Sequence, residues 1–487
     1  MRPGVAEQSN VQKSKAFAAL FLIEMWERFG YYGMGALMVL FMTTQRDFSD
    51  KRAVLIWGAF VAMIYAMPTI GGYIGDKYLG ARRTMTFGAI VLMGGYLLLA
   101  IPSKETFFIS MGVIAIGNGL FKVNPNNLLS RLYEDDTANL DSAFTAYYMS
   151  INIGSMISIF ITPIVAHFYS WHLAFGISAL GLALGLINYA FMRKHLQPYG
   201  SAPDFEKLNY KRLFNVIAGT CVMAYLLSLI IQHQIIAESI MTMFGLVALG
   251  VFAFLMFKFP EERNHLAACL VLITVVIVFF VYYQQMTTSL TLFAKQNVAH
   301  QLLGVHILPA QFQDMNSIWI VILSPLLAWF YNRMGNRKGD FNIATKYAFG
   351  LFLSSAAFFV FAVSGLTAVN GTVSAWWMVA GYGLQSFAEL IISGLGLAMI
   401  ARLVPKRLRG FMMGAYFLGT AVAQYIGGAI AGIASVPEGV TDPVKSLPLY
   451  TELFMKLGIA ALIAAVILSC LVPWLKRLID EAPAEPA

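Results

Sequence analysis

Charge is scarce in this chain: aspartate, glutamate, lysine and arginine make up 12% of the 487 residues, whereas 59% are hydrophobic. Soluble domains carry about 25% charged residues, so a string of soluble domains is excluded and a polytopic membrane protein is implied. Short alternating segments of ~10 residues, the mark of an outer-membrane barrel, are missing too. The apolar runs are unbroken and near the ~20 residues that a membrane-crossing helix needs, so the spans are α-helical. Cysteine is rare. Cys221, Cys269 and Cys470 all fall inside apolar runs without metal-ligand spacing, which reads as three buried small hydrophobes. The histidines, His167, His172, His195, His233, His265, His300 and His306, sit at span ends or in loops and form no cluster with a nucleophile. An intramembrane enzyme is therefore disfavoured, and no cofactor or metal is expected.

The apolar runs place spans at about 16–42, 53–75, 84–102, 106–130, 139–167 and 171–192, then two more at 213–232 and 237–258, then six at 264–294, 311–331, 342–366, 374–401, 408–434 and 447–475. About fourteen helices result. The expected layout is a tail at 1–15, a six-helix bundle over 16–192, a polar linker at 193–212, an inserted helix pair over 213–258, a second bundle over 259–477 and a tail at 478–487. The net charge of +8 comes from short loops between spans, where it sets orientation, so no nucleic-acid partner is implied. On this topology 24 of the 33 lysines and arginines fall on one side, which puts both termini in the cytoplasm of a multi-pass inner-membrane protein. The first run is too long for a signal-peptide core and lacks a clear cleavage site, so it is expected to stay attached.

The first span breaks the rule that hydrocarbon carries no charge. AFAALFLIEMWERFGYYGMGALMVLFM, residues 16–42, holds Glu24, Glu27 and Arg28 near its middle. A central acid or base costs roughly 2.5–3.5 kcal/mol on insertion scales, so three facing lipid would offset most of the apolar gain. Helical spacing puts Glu24, Glu27, Arg28 and Tyr31 on one face, with Tyr32 one turn beyond Arg28. That face should line an internal, water-accessible chamber. Static ion pairs fixing helix packing would be the plainer reading of the same residues.

Six spans, a linker and six more spans suit a two-half transporter with a midplane site. The loop Gly72-Tyr-Ile-Gly75-Asp76-Lys77-Tyr-Leu-Gly80-Ala-Arg82-Arg83 resembles the signature loop of the major facilitator superfamily, with a weaker basic counterpart from Arg333 to Lys338. Glu24-Met-Trp-Glu27-Arg28-Phe29-Gly30-Tyr31-Tyr32-Gly33 matches the ExxERF-x-YYG motif of proton-coupled oligopeptide transporters. Gly117 to Pro125, containing Lys122, is similar to that family's fourth helix, and Phe144 to Ser155, containing Tyr148 and Asn152, to its fifth. Tyr65, Asn316 and Glu389 with Ser393 match its second, eighth and tenth helices. The chain thus resembles the proton-dependent oligopeptide transporter (POT/PTR) family of the major facilitator superfamily, bacterial type, over nearly its whole length.

The resemblance implies an all-α major facilitator fold of two six-helix bundles plus two inserted helices, importing di- and tripeptides with protons by alternating access. It implies that a peptide carboxylate meets Arg28 and Lys122, that the amino group meets Glu389, and that Asn152 and Asn316 hold the peptide backbone. Tyr31, Tyr32, Tyr65 and Tyr148 are expected to line the pocket, with Gln284, Ser393 and Tyr416. Proton coupling is assigned to Glu24, Glu27, Arg28 and Lys122. Counting charges, Glu24, Glu27, Glu389, Arg28 and Lys122 leave one negative charge, which one proton neutralises; a zwitterionic peptide adds none. Glu24 or Glu27 is the expected proton site, and the choice between them stays open. The expected partners are peptide, protons and the lipid bilayer, with the monomer as the working unit.

The chain departs from the family pattern at several places. Gly35 and Gln284 stand where many members carry an arginine and a glutamate that close the outer gate, so the gate must close by packing or uncharged hydrogen bonds. Ser393-Gly394-Leu395-Gly396 replaces a Ser-Pro-x-Gly pattern, keeping a flexible point without the proline, and Tyr416 replaces a pocket tryptophan. A same-fold carrier of another small metabolite or anion, or a non-transporting membrane peptide receptor, are the alternatives. Lys122 and Glu389, one for each end of a zwitterion, favour peptides.

Overall fold

The computed structural model describes residues 3–134, 137–338, 342–392, 406–433, 436–437 and 442–480. Helices stand at all fourteen predicted positions, and eleven described helices are long and apolar enough to cross a membrane. Helix α1 runs from Pro3 to Gln45. Residues 3–15, expected as a polar tail, continue the first span as helix, because after Gly4 they contain no breaker and several good helix formers. After α2 (Asp50–Ala66), Pro68 opens the short α3 (Pro68–Tyr73), a place where its missing N–H is no loss. Helix α4 (Ala81–Ala100) follows, then α5 (Thr106–Lys122), interrupted at Val123 and resumed as α6 (Asn124–Leu132), with Pro125 in its first turn. Helices α7 (Thr137–Phe168), α8 (Trp171–Leu196) and α9 (Tyr210–Gln232) come next. The remaining helices are α10 (Gln234–Lys258), α11 (Arg263–Tyr283), α12 (Ser289–Asn297), α13 (Asp314–Lys338), α14 (Ile343–Val363), α15 (Trp376–Ile392), α16 (Lys406–Ile433) and α17 (Pro443–Asp480).

The chain forms two compact units, and their limits differ from the sequence-based bundles. The first comprises Met1–Phe41 and Met63–Gln234; the second comprises Met42–Ala62 and Ile235–Ala487. The inserted pair is thus divided, α9 with the first unit and α10 with the second. The tip of the α1–α2 hairpin belongs to the second unit.

In the first unit α7 lies so close to α1 that a Cβ on Gly154 would overlap the carbonyl oxygen of Met25 and come within 3.0 Å of the Phe29 nitrogen. Only glycine permits that approach, and it brings α7 alongside the Glu24–Arg28 stretch. The polar linker is not loose. Ser201 and Asp204 are buried around a short 3-10 turn, Ala202–Phe205. Ser201 Oγ accepts from the Ala81 N–H at 2.8 Å, and Asp204 Oδ2 accepts from the Arg82 N–H at 3.1 Å, capping the start of α4. Arg82 returns donors to the carbonyls of Gln197 (2.8 Å) and Asp204 (3.1 Å), and Arg83 to those of Pro203 (2.9 Å) and Glu206 (2.6 Å). The basic pair of the signature loop is therefore bound by the linker.

The core of the second unit joins α11, α14, α15, α16 and α17 around Leu272, Phe279, Tyr347, Met412 and Leu468. Of the cysteines only Cys269 is buried; Cys221 and Cys470 are exposed on their helices, which corrects the expectation for those two. Both lie on faces of apolar helices, where an apolar side chain suits lipid as well as core.

Candidate functional site

Helix α1 delivers its three charges to one buried cluster, as their spacing requires. Glu24 is 3% exposed, Glu27 0% and Arg28 4%. The Arg28 Nε lies 3.0 Å from Glu24 Oε1 and 2.7 Å from Glu27 Oε2, so one guanidinium serves two carboxylates. Asn118 of α5 donates from Nδ2 to Glu27 Oε1 at 3.1 Å, and the Tyr147 hydroxyl of α7 donates to Glu24 Oε2 at 2.6 Å. Each acid is thus held from two elements. Arg28 Nη2, by contrast, is buried without a hydrogen-bond partner among the described residues. A buried cationic donor left without a partner is costly.

Lys122, at the end of α5, sets its ammonium 4.3 Å from the centre of the Tyr65 ring and makes no ion pair among the described residues. The Arg28 guanidinium lies 5.6 Å from the Tyr31 ring centre, and the Tyr31 and Tyr32 rings meet edge-on at 5.2 Å. Charged and aromatic groups therefore alternate along one wall of the first unit. Tyr148 is 43% exposed, and Asn152, 9% exposed, donates from Nδ2 to the Tyr148 carbonyl at 3.1 Å within its own helix.

In the second unit Asn316 of α13 donates from Nδ2 to Glu389 Oε2 at 2.7 Å and to Ser386 Oγ at 2.9 Å, tying α13 to α15. Glu389 is 8% exposed. One turn earlier on the same helix, Gln385 is 1% exposed with neither its amide nitrogen nor its oxygen paired among the described residues. Gln284 is buried against Gly427, and Tyr416 is part of the apolar core at 7% exposure. Ser393 lies outside the described residues, as do Gly394 and Gly396.

Of the predicted residues, Glu24, Glu27, Arg28, Tyr31 and Tyr32 gather with Lys122 and Tyr65 in one unit, and Asn316 with Glu389 in the other, whereas Gln284 packs against Gly427 and Tyr416 in the apolar core. Sequence reasoning missed Asn118, Tyr147 and Gln385. Asn118 was signalled by its place one turn before Lys122, Gln385 by the same spacing before Glu389, and Tyr147 by adjacency to Tyr148.

Comparison with known proteins gives this arrangement a context. The chain is 43% identical to dipeptide and tripeptide permease A of Escherichia coli (strain K12), over 98% of its own length and 95% of the relative's. It is 41% identical to dipeptide and tripeptide permease B of Edwardsiella piscicida, covering 99% and 98%. Among solved structures, tetrameric PepTSo2 superposes with a TM-score of 0.88 at 43% identity over 96% of this chain and 99% of that one. A peptide transporter POT solved in complex with sulfate gives 0.82 at 29% identity over 95% of both. The sequence profile described as the POT family matches residues 82–447. With two clusters of buried charge on a two-unit helical frame and relatives aligned end to end, the chain belongs to the POT family of transporters.

Proposed function

We propose that the chain is a proton-coupled symporter that imports di- and tripeptides across the bacterial inner membrane by alternating access, with both termini cytoplasmic. The observation that carries the reading is the division of charge between the units. One unit holds Arg28, whose buried Nη2 has no hydrogen-bond partner among the described residues, and Lys122, which makes no ion pair among them; the other holds Glu389, supported by Asn316. A zwitterionic peptide has complementary ends for both, its carboxylate for Arg28 and Lys122 and its ammonium for Glu389, with Asn152 and Asn316 available to its backbone. Inserting an anion beside Arg28 adds negative charge next to Glu24 and Glu27, and one proton on that pair restores the balance. The proton and the peptide are in this way linked through a shared guanidinium. The reading takes one chain as the transport unit.

Uptake of a labelled dipeptide into proteoliposomes, with and without an inward proton gradient, tests the reading. Accumulation only with the gradient is the expected result. Equal uptake without it would remove symport, uptake of a small anion instead of peptide would point to another cargo, and binding without uptake would leave a receptor.

A further inference from the structure

Where the linker meets α4, α8 and the start of α9, a cavity of about 770 Å³ opens within the first unit. Along α4 its wall changes character: Arg82 and Arg83 stand in the first turn, and Phe87 and Ile90 follow one and two turns on. Arg193 and Asp204 complete the polar end, and Leu208 and Leu213 add apolar wall.

The acids beside this cavity are already claimed. Asp204 Oδ1 lies 3.7 Å from Arg82 Nε, and Glu206 Oε2 lies 3.5 Å from Arg212 Nη1. Arg83 donates from its guanidinium to the carbonyls of Leu79, Pro203 and Glu206, which satisfy its N–H groups and leave its charge whole. Arg193, exposed in the last turn of α8, makes no ion pair or hydrogen bond among the described residues. Its place at a helix C-terminus suits the dipole there, an interaction it shares with Lys194 and His195. Two guanidinium charges thus line the cavity, neither paired with a carboxylate among the described residues.

The apolar face does not end at the cavity. Ile90 is 49% exposed and Leu97, two turns on, 51%, and between them a Cβ on Gly94 would meet nothing within 4 Å. A shallow apolar strip therefore runs from the arginines along a spanning helix toward the middle of the bilayer. A soluble anion would use the arginines alone, whereas the strip suits the acyl chain of a molecule that carries its phosphate at the same end.

We propose that this cavity binds an anionic phospholipid, its phosphate facing Arg83 and Arg193 and one acyl chain lying along Phe87, Ile90 and Gly94, so that lipid joins the linker to α4 and α8. The site is independent of the cargo, and its test needs no transport.

Native mass spectrometry of the full chain in detergent, titrated with phosphatidylglycerol or phosphatidylcholine, reads the affinity for the first bound lipid. With about 1 kcal/mol for each basic residue at a lipid surface, the two uncompensated guanidiniums should make phosphatidylglycerol bind roughly 30-fold tighter than phosphatidylcholine, and Arg193→Gln should weaken it about fivefold. Arg193→Lys should restore most of that loss. Lys476→Gln, an equal loss of charge at an exposed position of α17, should leave the affinity at the parent value. Leu208→Asp, which sets an acid on the exposed rim, should weaken phosphatidylglycerol as Arg193→Gln does and decides the matter alone if the arginine variant does not accumulate. Parent affinity in Arg193→Gln overturns the site, as does phosphatidylglycerol binding no tighter than phosphatidylcholine. An equal loss in Lys476→Gln overturns it too, because attraction would then be spread over the surface. Displacement of the bound lipid by millimolar inorganic phosphate would assign the cavity to a soluble anion and refute the lipid.

Discussion

Replacing Glu389 by glutamine separates its charge from its shape. Asn316 Nδ2 donates to Glu389 Oε2 at 2.7 Å and to Ser386 Oγ at 2.9 Å, and a glutamine oxygen in place of the carboxylate can still accept the first bond, so α13 and α15 stay joined and abundance should hold. What is lost is the negative charge offered to a peptide's ammonium. A hydrogen bond to a charged partner contributes about 1.5–3 kcal/mol and a neutral one about 0.5–1.5, so the change should weaken free-peptide binding by ~1–2 kcal/mol. At 1.4 kcal/mol per tenfold, that is roughly a 5- to 30-fold rise in the half-inhibitory concentration of a free dipeptide competing for labelled uptake. An N-acetylated dipeptide has no ammonium to lose and should compete as before. Glu389→Leu is the structural control: it takes one of the two acceptors from the Asn316 amide, leaving Ser386 Oγ, and both peptides should suffer along with protein yield. Equal weakening of free and acetylated dipeptides by Glu389→Gln would refute the assignment of the amino end to this residue.

Three other outcomes follow from the same geometry. Glu24→Gln and Glu27→Gln should each preserve abundance, since Tyr147 and Asn118 keep an acceptor, yet abolish gradient-driven uptake in proteoliposomes; if both variants still concentrate dipeptide, the proton binds elsewhere. Gly154→Leu should cost at least the ~1–3 kcal/mol typical of overpacking, because even a Cβ there overlaps the Met25 carbonyl, and thermal melting in detergent would show it as a lower Tm than for the parent. Asp204→Ala should strand the Ser201 and Arg82 amides it now accepts and destabilise by about 1–3 kcal/mol, read in the same melting assay, whereas Glu206→Ala, whose side chain is 62% exposed, should leave the Tm near that of the parent.

The features legible in the sequence are those the bilayer penalises. Glu24, Glu27 and Arg28 could be placed inside the protein because hydrocarbon leaves them no alternative, and a 3.6-residue period fixed their common face. Fourteen helices were legible for the same reason. Sequence could not tell Tyr147 from Tyr148: neighbouring residues differ by about 100° around a helix, and only the placement of α7 beside α1 decides which phenol reaches Glu24. Nor could it show that 193–212 folds onto the signature loop. That depends on one carboxylate, Asp204, meeting backbone donors more than a hundred positions earlier in the chain. The transfer of 42–62 to the second unit was hidden because a continuous apolar helix carries no local mark of the point where its packing partners change.

The bound linker alters where foreign sequence can be spliced into this protein. By composition, 197–208 looks like an ideal gap for a reporter domain or protease site, but its carbonyls already hold two arginines and its side chains cap α4. A graft there would prise apart structure. The hairpin Gln301–Leu302 and Val305–His306 turns through Leu303 and Gly304, with Leu303 82% exposed and open space around Gly304. Epitopes and fluorophores belong at that tip, where the backbone has least to lose.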